Sequence, residues 1–221
     1  ALRADHGVTV VTTGARCEGE MPHNAPVWLP AGAELRLGSP AAGLRTYLAV
    51  RGGIAVDPVL GSRSTDILAG LGPGVVVEGD IIPVGETECP MPGVEVAPVT
   101  DPPGDGLVVR VLTGPRRDWF ADDAWTTLTG QTYTVSGDCD RVGARLDGSP
   151  LTRSHTGELP SEGRMRGALQ IPPSGAPGLF LADHPVTGGY PVIGYVVDDD
   201  VDQCAQLRPG QTVRFRDTQA A

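Results

Sequence analysis

The chain has 221 residues, 31 of them glycine and 21 proline, and a formal net charge of −10 from 17 basic and 27 acidic side chains. That balance, with no basic stripe, excludes a nucleic-acid binder held by phosphate contacts. Every basic residue is arginine and none is lysine, which excludes Schiff-base chemistry and a P-loop.

Abundant glycine and proline, few aromatics and many valines predict an all-β, or β-rich, chain with few short helices. The first residues, ALRADHGVTV, enter a strand-like run almost at once, as a chain entered midway would. Short strands are expected at 8–12, 25–29, 34–37 and 45–51, with turns at Pro30-Ala31-Gly32 and Gly52-Gly53. The arms PAGAELRLG and LRPGQTVRF share a rhythm, a weak sign of two related β domains. Ser64, Thr65 or Asp66 is expected to cap a short helix at 67–71. The alternative there is an anion-binding turn with Arg63 as donor. Residues 86–106 are rich in proline, glycine and acid and lack apolar periodicity. The expected division is an N-terminal β domain at 1–90, a linker at 91–106 and a second β domain at 107–217.

In the second half a strand is expected at 107–112. A helix follows, with Asp118 as N-cap, Phe120, Ala124 and Leu128 at spacings of four, and Gly130 just past its end. Trp119 and Trp125 are read as packing residues. Strands are expected at 133–136, within 139–146, and at 168–171, 179–182 and 192–197. The turn Pro172-Pro173-Ser174-Gly175 separates the first two of that last set. The loop DHPVTGGYP, 183–191, separates the last two, and its paired glycines let backbone N–H groups approach a ligand. Gln170 lies on one of these strands, and Ser161, Glu162, Arg164 and Arg166 lead into it. This concentration of polar groups points to a site on one face of a barrel. A last helix is expected at 199–207. Asp198, Asp199, Asp200 and Asp202 at its start suit the helix dipole and read as a solvated acidic cap, not a cation site.

Cys17, Cys89, Cys139 and Cys204 are scattered without a C-x-x-C spacing. Reduced thiols of a cytoplasmic protein are expected, with no zinc site. No apolar run has the length of a transmembrane helix, and no signal peptide is read. Common hydrolase, zinc and nucleotide motifs are missing. His155 near Glu158, and His184 beside Asp183, are candidate acid–base pairs. Arginines supply bidentate donors for carboxylate or phosphate. The residue types alone stop at a β-rich protein with a polar loop site.

Several stretches carry a resemblance that goes further: YLAVRGGI (47–54), VLGSRSTD (59–66), GPRRDWF (114–120), DRVGARL (140–146), LPSEG and GALQIPPSG within 159–175, and DHPVTGGYPVI (183–193). In this order the chain resembles the family that comprises the C-type subunit of 5-oxoprolinase, KipA and the second subunit of allophanate hydrolase, the biotin-dependent carboxyltransferase group. The resemblance implies two cyclophilin-like β-barrel domains without isomerase activity. It also implies a segment ahead of residue 1 carrying a V-Q-D-x-G-R motif, so that the first domain is incomplete. It implies the Kip-type, or B-type, subunit of 5-oxoprolinase and a third subunit as partners, and a complex that opens 5-oxoproline to glutamate with ATP hydrolysis. Biotin belongs only to carboxyltransferase relatives.

Under this reading Glu162 and Asp183 are the catalytic acid–base candidates. Arg63, Arg116, Arg117 and Arg141 bind anionic groups. Asp66, Gln170, Thr187, Gly188, Gly189 and Tyr190 complete the ligand site, and no metal is expected. One alternative is a regulatory protein that binds and antagonises a histidine-kinase inhibitor through apolar patches around Trp119, Trp125 or Leu151. Another is a carboxyltransferase-like domain acting on urea or another amide.

Overall fold

β-Branched side chains favour extended backbone, and the run VTVVTTG forms the central strand of the first half of the chain. The computed structural model describes residues 1–19, 22–91, 93 and 95–218. The chain divides into two units, residues 1–41 with 46–101 and residues 42–45 with 102–221. In the first unit β1 (Leu2–Arg3) pairs with β4 (Glu34–Leu35), and β2 (Val8–Gly14) lies between β3 (Val27–Leu29) and β5 (Thr46–Val50), all antiparallel. Among its described residues Val10, Thr12, Ala15 and Leu35 are buried, whereas Leu60, Val75 and Ile81 are 92%, 80% and 84% exposed.

The helix expected at 67–71 is not formed. Asp66 instead exchanges both backbone hydrogen bonds with Leu71. Its Oδ1 accepts from the N–H groups of Leu68 and Ala69 at 2.9 and 3.0 Å. Gly70, at φ 66°, lets the chain reverse where a helix would continue. The side chain caps a tight turn by the same chemistry that caps a helix.

The second unit is built on strands whose side chains alternate. In β6 (Leu107–Thr113) Val109 and Val111 are fully buried while Val108 and Leu112 face outward, the period expected of a strand with one wet face. β7 (Thr132–Cys139), β8 (Gly143–Asp147), β10 (Ala168–Gln170), β11 (Gly178–Phe180), β13 (Val192–Val196) and β14 (Thr212–Asp217) join it. These close a barrel in the order β10-β11-β8-β7-β14-β6-β13, with only β14 and β6 parallel. A small ribbon of β9 (Glu162–Gly163) and β12 (Thr187–Gly188) stands apart from the barrel sheet. The interior holds Tyr133, Phe215, Leu128, Leu146, Leu151, Leu169, Ile171, Leu179 and Ile193, each fully buried. Each such side chain contributes about 1.5–3 kcal/mol by leaving water. The β-rich expectation is met.

Two helices cover the barrel. The first starts later than the sequence suggests: a 3-10 turn at Arg117–Trp119 comes first, and α1 spans Ala124–Gly130. Phe120 is extended between them, because it bridges Arg153 and because Ala121 N–H donates to the Thr152 carbonyl. Asp118 therefore lies in the 3-10 turn, and Asp123 precedes α1 without a side-chain cap bond. Trp125 and Leu151 are 5% and 1% exposed, so they are core and not a surface patch. The second helix, α2 (Asp198–Cys204), buries Val201 and Cys204.

The acids of α2 are not merely solvated. Asp200 accepts from the Arg110 N–H, Nε and Nη2 at 2.7, 3.0 and 2.8 Å. Asp198 and Asp202 each pair with Arg166 at 2.9 Å. Residues 42–45 fold with the barrel because Gln206 Oε1 accepts from the N–H groups of Leu44 and Arg45 at 2.9 and 2.8 Å. The four cysteines are free. Among the described residues no helix is long and apolar enough to cross a membrane, and no group of three or more His, Cys, Asp or Glu is placed to hold a metal ion.

Candidate functional site

The site forms where the chain leaves β6 and meets the β9–β12 ribbon. Gly114 N–H donates to the Ile193 carbonyl at 2.8 Å, and Arg116 N–H to the Val192 carbonyl at 3.3 Å. These bonds hold the Gly114-Pro115-Arg116 turn against β13. Gly114 has no room for a side chain: a Cβ there would lie 2.6–2.7 Å from backbone atoms of Val192, Ile193 and Gly194.

From that turn the Arg116 guanidinium reaches Glu162. Nε donates to Oε1 at 2.9 Å, and Nη2 donates to the same oxygen. Glu162 is carried by β9, opposite Gly188 of β12, with Gly163 opposite Thr187. Arg164, just beyond β9, approaches the other carboxylate oxygen, with Nη1 3.7 Å from Oε2. Its side chain is 1% exposed. Its Nη2 donates to the carbonyls of Gly188 and Tyr190, while its Nε has no hydrogen-bond partner.

Two guanidinium groups thus share one carboxylate. The hydrogen bond from Arg116, aided by the charges of Arg116 and Arg164, holds the Glu162 carboxyl below the usual range despite partial desolvation, and the same bond raises Arg116. A carboxylate held ionised in this way is a weak base near neutral pH. The cluster keeps a local positive excess, which favours an anionic ligand.

The other expected site residues are distributed as follows. Arg141 and Asp183 form a second pair at 3.3 Å, and Asp183 N–H donates to the Arg141 carbonyl at 3.0 Å. Gln170 is half-buried on β10 opposite Gly178. Thr187 and Tyr190 are exposed, and Gly188 and Gly189 shape the loop between them. Arg117 turns away, its guanidinium 5.5 Å from the Trp125 ring centroid. Arg63 and Asp66 belong to the first unit, where Arg63 Nε donates to the Val56 carbonyl at 2.8 Å. His155 stacks on Trp119 at 5.2 Å and its Nδ1 meets Ser154 Oγ at 3.0 Å. His184 stacks on Phe180, and its Nδ1 lies 3.0 Å from the Pro185 carbonyl, placed to donate to it. From the sequence Arg164 is one of the polar residues leading into β10, with no role of its own in the ligand site. Its burial and its bonds to Gly188 and Tyr190, 24 and 26 residues away, come from the fold.

Cavities of about 400 and 420 Å³ lie elsewhere, one lined by residues including Trp28, Arg51 and Glu86, the other by residues including Leu151, Arg153 and His155.

Comparison with known proteins matches this architecture to one family. The model of the carboxyltransferase domain, subdomain A and B, matches residues 1–217. The chain is 35% identical over 212 residues to the C-type subunit of 5-oxoprolinase of Escherichia coli strain K12, covering 92% of this chain and 67% of that protein. It is 32% identical to the C-type subunit of 5-oxoprolinase of Haemophilus influenzae, covering 84% and 60%. Urea amidolyase of Lachancea kluyveri is 28% identical over 87% of this chain and 12% of its own length. The chain thus spans about two thirds or less of the curated relatives it matches. Among solved structures, that of TTHA0988 superposes with a TM-score of 0.83 at 33% identity, over 97% of this chain and 42% of that one. The urea amidolyase of K. lactis shares the fold, with a TM-score of 0.81 at 22% identity, over 96% of this chain and 14% of that one. The chain belongs to the carboxyltransferase family of joined subdomains A and B.

Proposed function

We propose that this chain serves as the C-type subunit of an ATP-dependent 5-oxoprolinase, in complex with a Kip-type subunit and a third subunit. The reading rests on the 35% identity to a C-type 5-oxoprolinase subunit across 92% of the chain. The charge of the site agrees with it. 5-Oxoproline is a cyclic amide that carries a carboxylate, and the Arg116–Glu162–Arg164 cluster favours an anion beside an oriented acceptor. Ring opening adds water to the amide carbonyl, breaks its C–N bond and gives the nitrogen a proton, leaving glutamate. ATP hydrolysis, supplied through the complex, drives that step.

In this scheme Arg116 binds the substrate's anionic group. Arg141 and Asp183 form a second charged pair that can meet a phosphorylated form of the amide. Glu162 orients Arg116, and the hydrogen bond from Arg116 that lowers its carboxyl makes it a weak proton acceptor. Asp183, paired with Arg141, is the second candidate for proton transfer. A second reading, a carboxyltransferase acting on urea or a related amide, draws support from the 28% identity to a urea amidolyase. It would need carboxylated biotin delivered to the site.

The test is 5-oxoproline-dependent ATP hydrolysis by the full-length protein with its partner subunits, omitting each subunit in turn. Turnover that requires this chain is the expected result. A stable complex that hydrolyses no ATP with 5-oxoproline, yet carboxylates urea once a biotin carboxylase is supplied, would replace the first reading with the second.

A further inference from the structure

The β9–β12 ribbon has only two residues in each strand. A ladder that short has little stability of its own, yet it carries Glu162 and therefore sets the direction of Arg116. Residue 164 holds it together. The Arg164 N–H donates to the Val186 carbonyl at 2.7 Å. Its side-chain Nη2 reaches the carbonyls of Gly188 and Tyr190, the latter at 2.6 Å. Backbone and side chain of one residue thus tie the 162–164 segment to the loop at three points.

The guanidinium is 1% exposed, so it cannot itself touch a ligand. It is also closely fitted. A Cβ at Gly188 would lie 3.0 Å from Arg164 Nε and 3.7 Å from its Cγ and Cζ. Gly188 is therefore the residue that leaves room for the planar fork. A lysine would place a single nitrogen on a flexible stem and could not hold the two loop carbonyls through Nη2 while a second nitrogen, Nη1, approaches Glu162 Oε2 at 3.7 Å. Burying a cation here is costly unless it is well bonded. This one gives its Nη2 hydrogens to loop carbonyls and leaves Nε unpaired, an arrangement that favours loop geometry over maximal stability.

We propose that Arg164 is a positioning residue for the site: its buried guanidinium staples the Thr187–Tyr190 loop to β9 and so keeps the Glu162 carboxylate set to orient Arg116 toward an anionic ligand. The proposal rests on the functional reading above only for the nature of that ligand.

Two variants of the full chain test it, Arg164→Met and Gly188→Ala. The first removes the fork and retains bulk. The second keeps the charge and displaces the fork, so it serves if the first fails to fold. Two readouts do not depend on turnover. One is amide exchange at 186–190, expected to quicken about tenfold or more while β6, β7 and β14 stay unchanged. The other is the NMR signal of the Arg116 Nε–H, expected to move toward the position of a solvated arginine as its bond to Glu162 loosens. A merely structural role would leave that signal in place. In the assembled complex, KM for 5-oxoproline should rise about tenfold with kcat changed far less, because binding geometry is lost and not the reacting groups. If the wild-type complex shows no 5-oxoproline turnover, the functional reading falls, and the exchange and NMR readouts still decide this inference. Unchanged loop exchange or an unchanged Arg116 signal in both variants would overturn it. So would a KM that stays at the wild-type value in an active complex whose loop has loosened.

Discussion

Gly114→Ala is the sharpest test of how the site is held. The added Cβ would sit 2.6 Å from the Val192 carbonyl oxygen, 2.7 Å from Gly194 N and 2.7 Å from the Ile193 carbonyl carbon. All three are backbone atoms of β13 and cannot rotate aside. Ordinary contacts begin near 3.4 Å, so the strands must separate by most of an ångström. Overpacking of that kind costs about 1–3 kcal/mol. For a unit of this size the unfolding entropy is roughly 0.25 kcal/mol/K, so the midpoint should fall by about 4–12 °C. The assay is thermal unfolding followed by circular dichroism, with Gly137→Ala as control. A Cβ at Gly137 meets nothing within 4 Å, so that change should be neutral or stabilising by up to about 1 kcal/mol. Because Arg116 lies two residues beyond Gly114, the strained variant should also lose binding of anionic ligand. A Gly114→Ala protein melting together with wild type would refute the close approach of β6 and β13 on which the site is built.

Glu162→Gln should leave the fold intact and lower kcat/KM of the complex about tenfold or more, since a neutral amide replaces the acceptor of a charge-assisted bond; steady-state kinetics measure it. Acid should loosen the α2 contact. The folded Asp200 carboxyl is lowered chiefly by its hydrogen bond from Arg110, so its stabilisation is present above the ordinary value of 3.8 and lost as pH falls through the lower folded value. Asp200→Asn should accordingly destabilise the protein at neutral pH, with the gap to wild type closing below about pH 4 in denaturant melts. Burial pushes the Cys204 thiol up to about 12, whereas Cys89 is exposed. Iodoacetamide at about pH 8 should label Cys89 and spare Cys204 until the chain unfolds, as read by mass spectrometry.

Much of the barrel was legible because its signals are local. β10 and β13 fall within the short apolar runs bounded by glycine and proline, and β11, at Gly178–Phe180, overlaps the run at 179–182, since turn chemistry acts over two to four residues. The helix signal of Phe120, Ala124 and Leu128 was also local, but it was partly overridden. Ala121 finds its hydrogen-bond partner at Thr152, and that distant carbonyl keeps the backbone extended where periodicity alone favours helix. The row of aspartates at α2 reads from the sequence as a solvated cap because it suits the positive end of the helix dipole. Its partners Arg110 and Arg166 are supplied by other parts of the fold.

The same division runs through the site. Residue order and composition were enough for the β-rich class, most strands of the second unit, and the set of charged residues available. They were not enough to say which charges meet, because pairing depends on closure of the barrel. Arg116 and Glu162 are 46 residues apart, and the parallel pairing of β6 with β14 joins Leu107 to Val213. It took the closed fold to bind Glu162 to Arg116, to turn Arg117 to Trp125, and to bury Arg164 as a staple. Local conformational preference is a property of a few consecutive residues, whereas ion pairing and burial are set by segments brought together when the core closes.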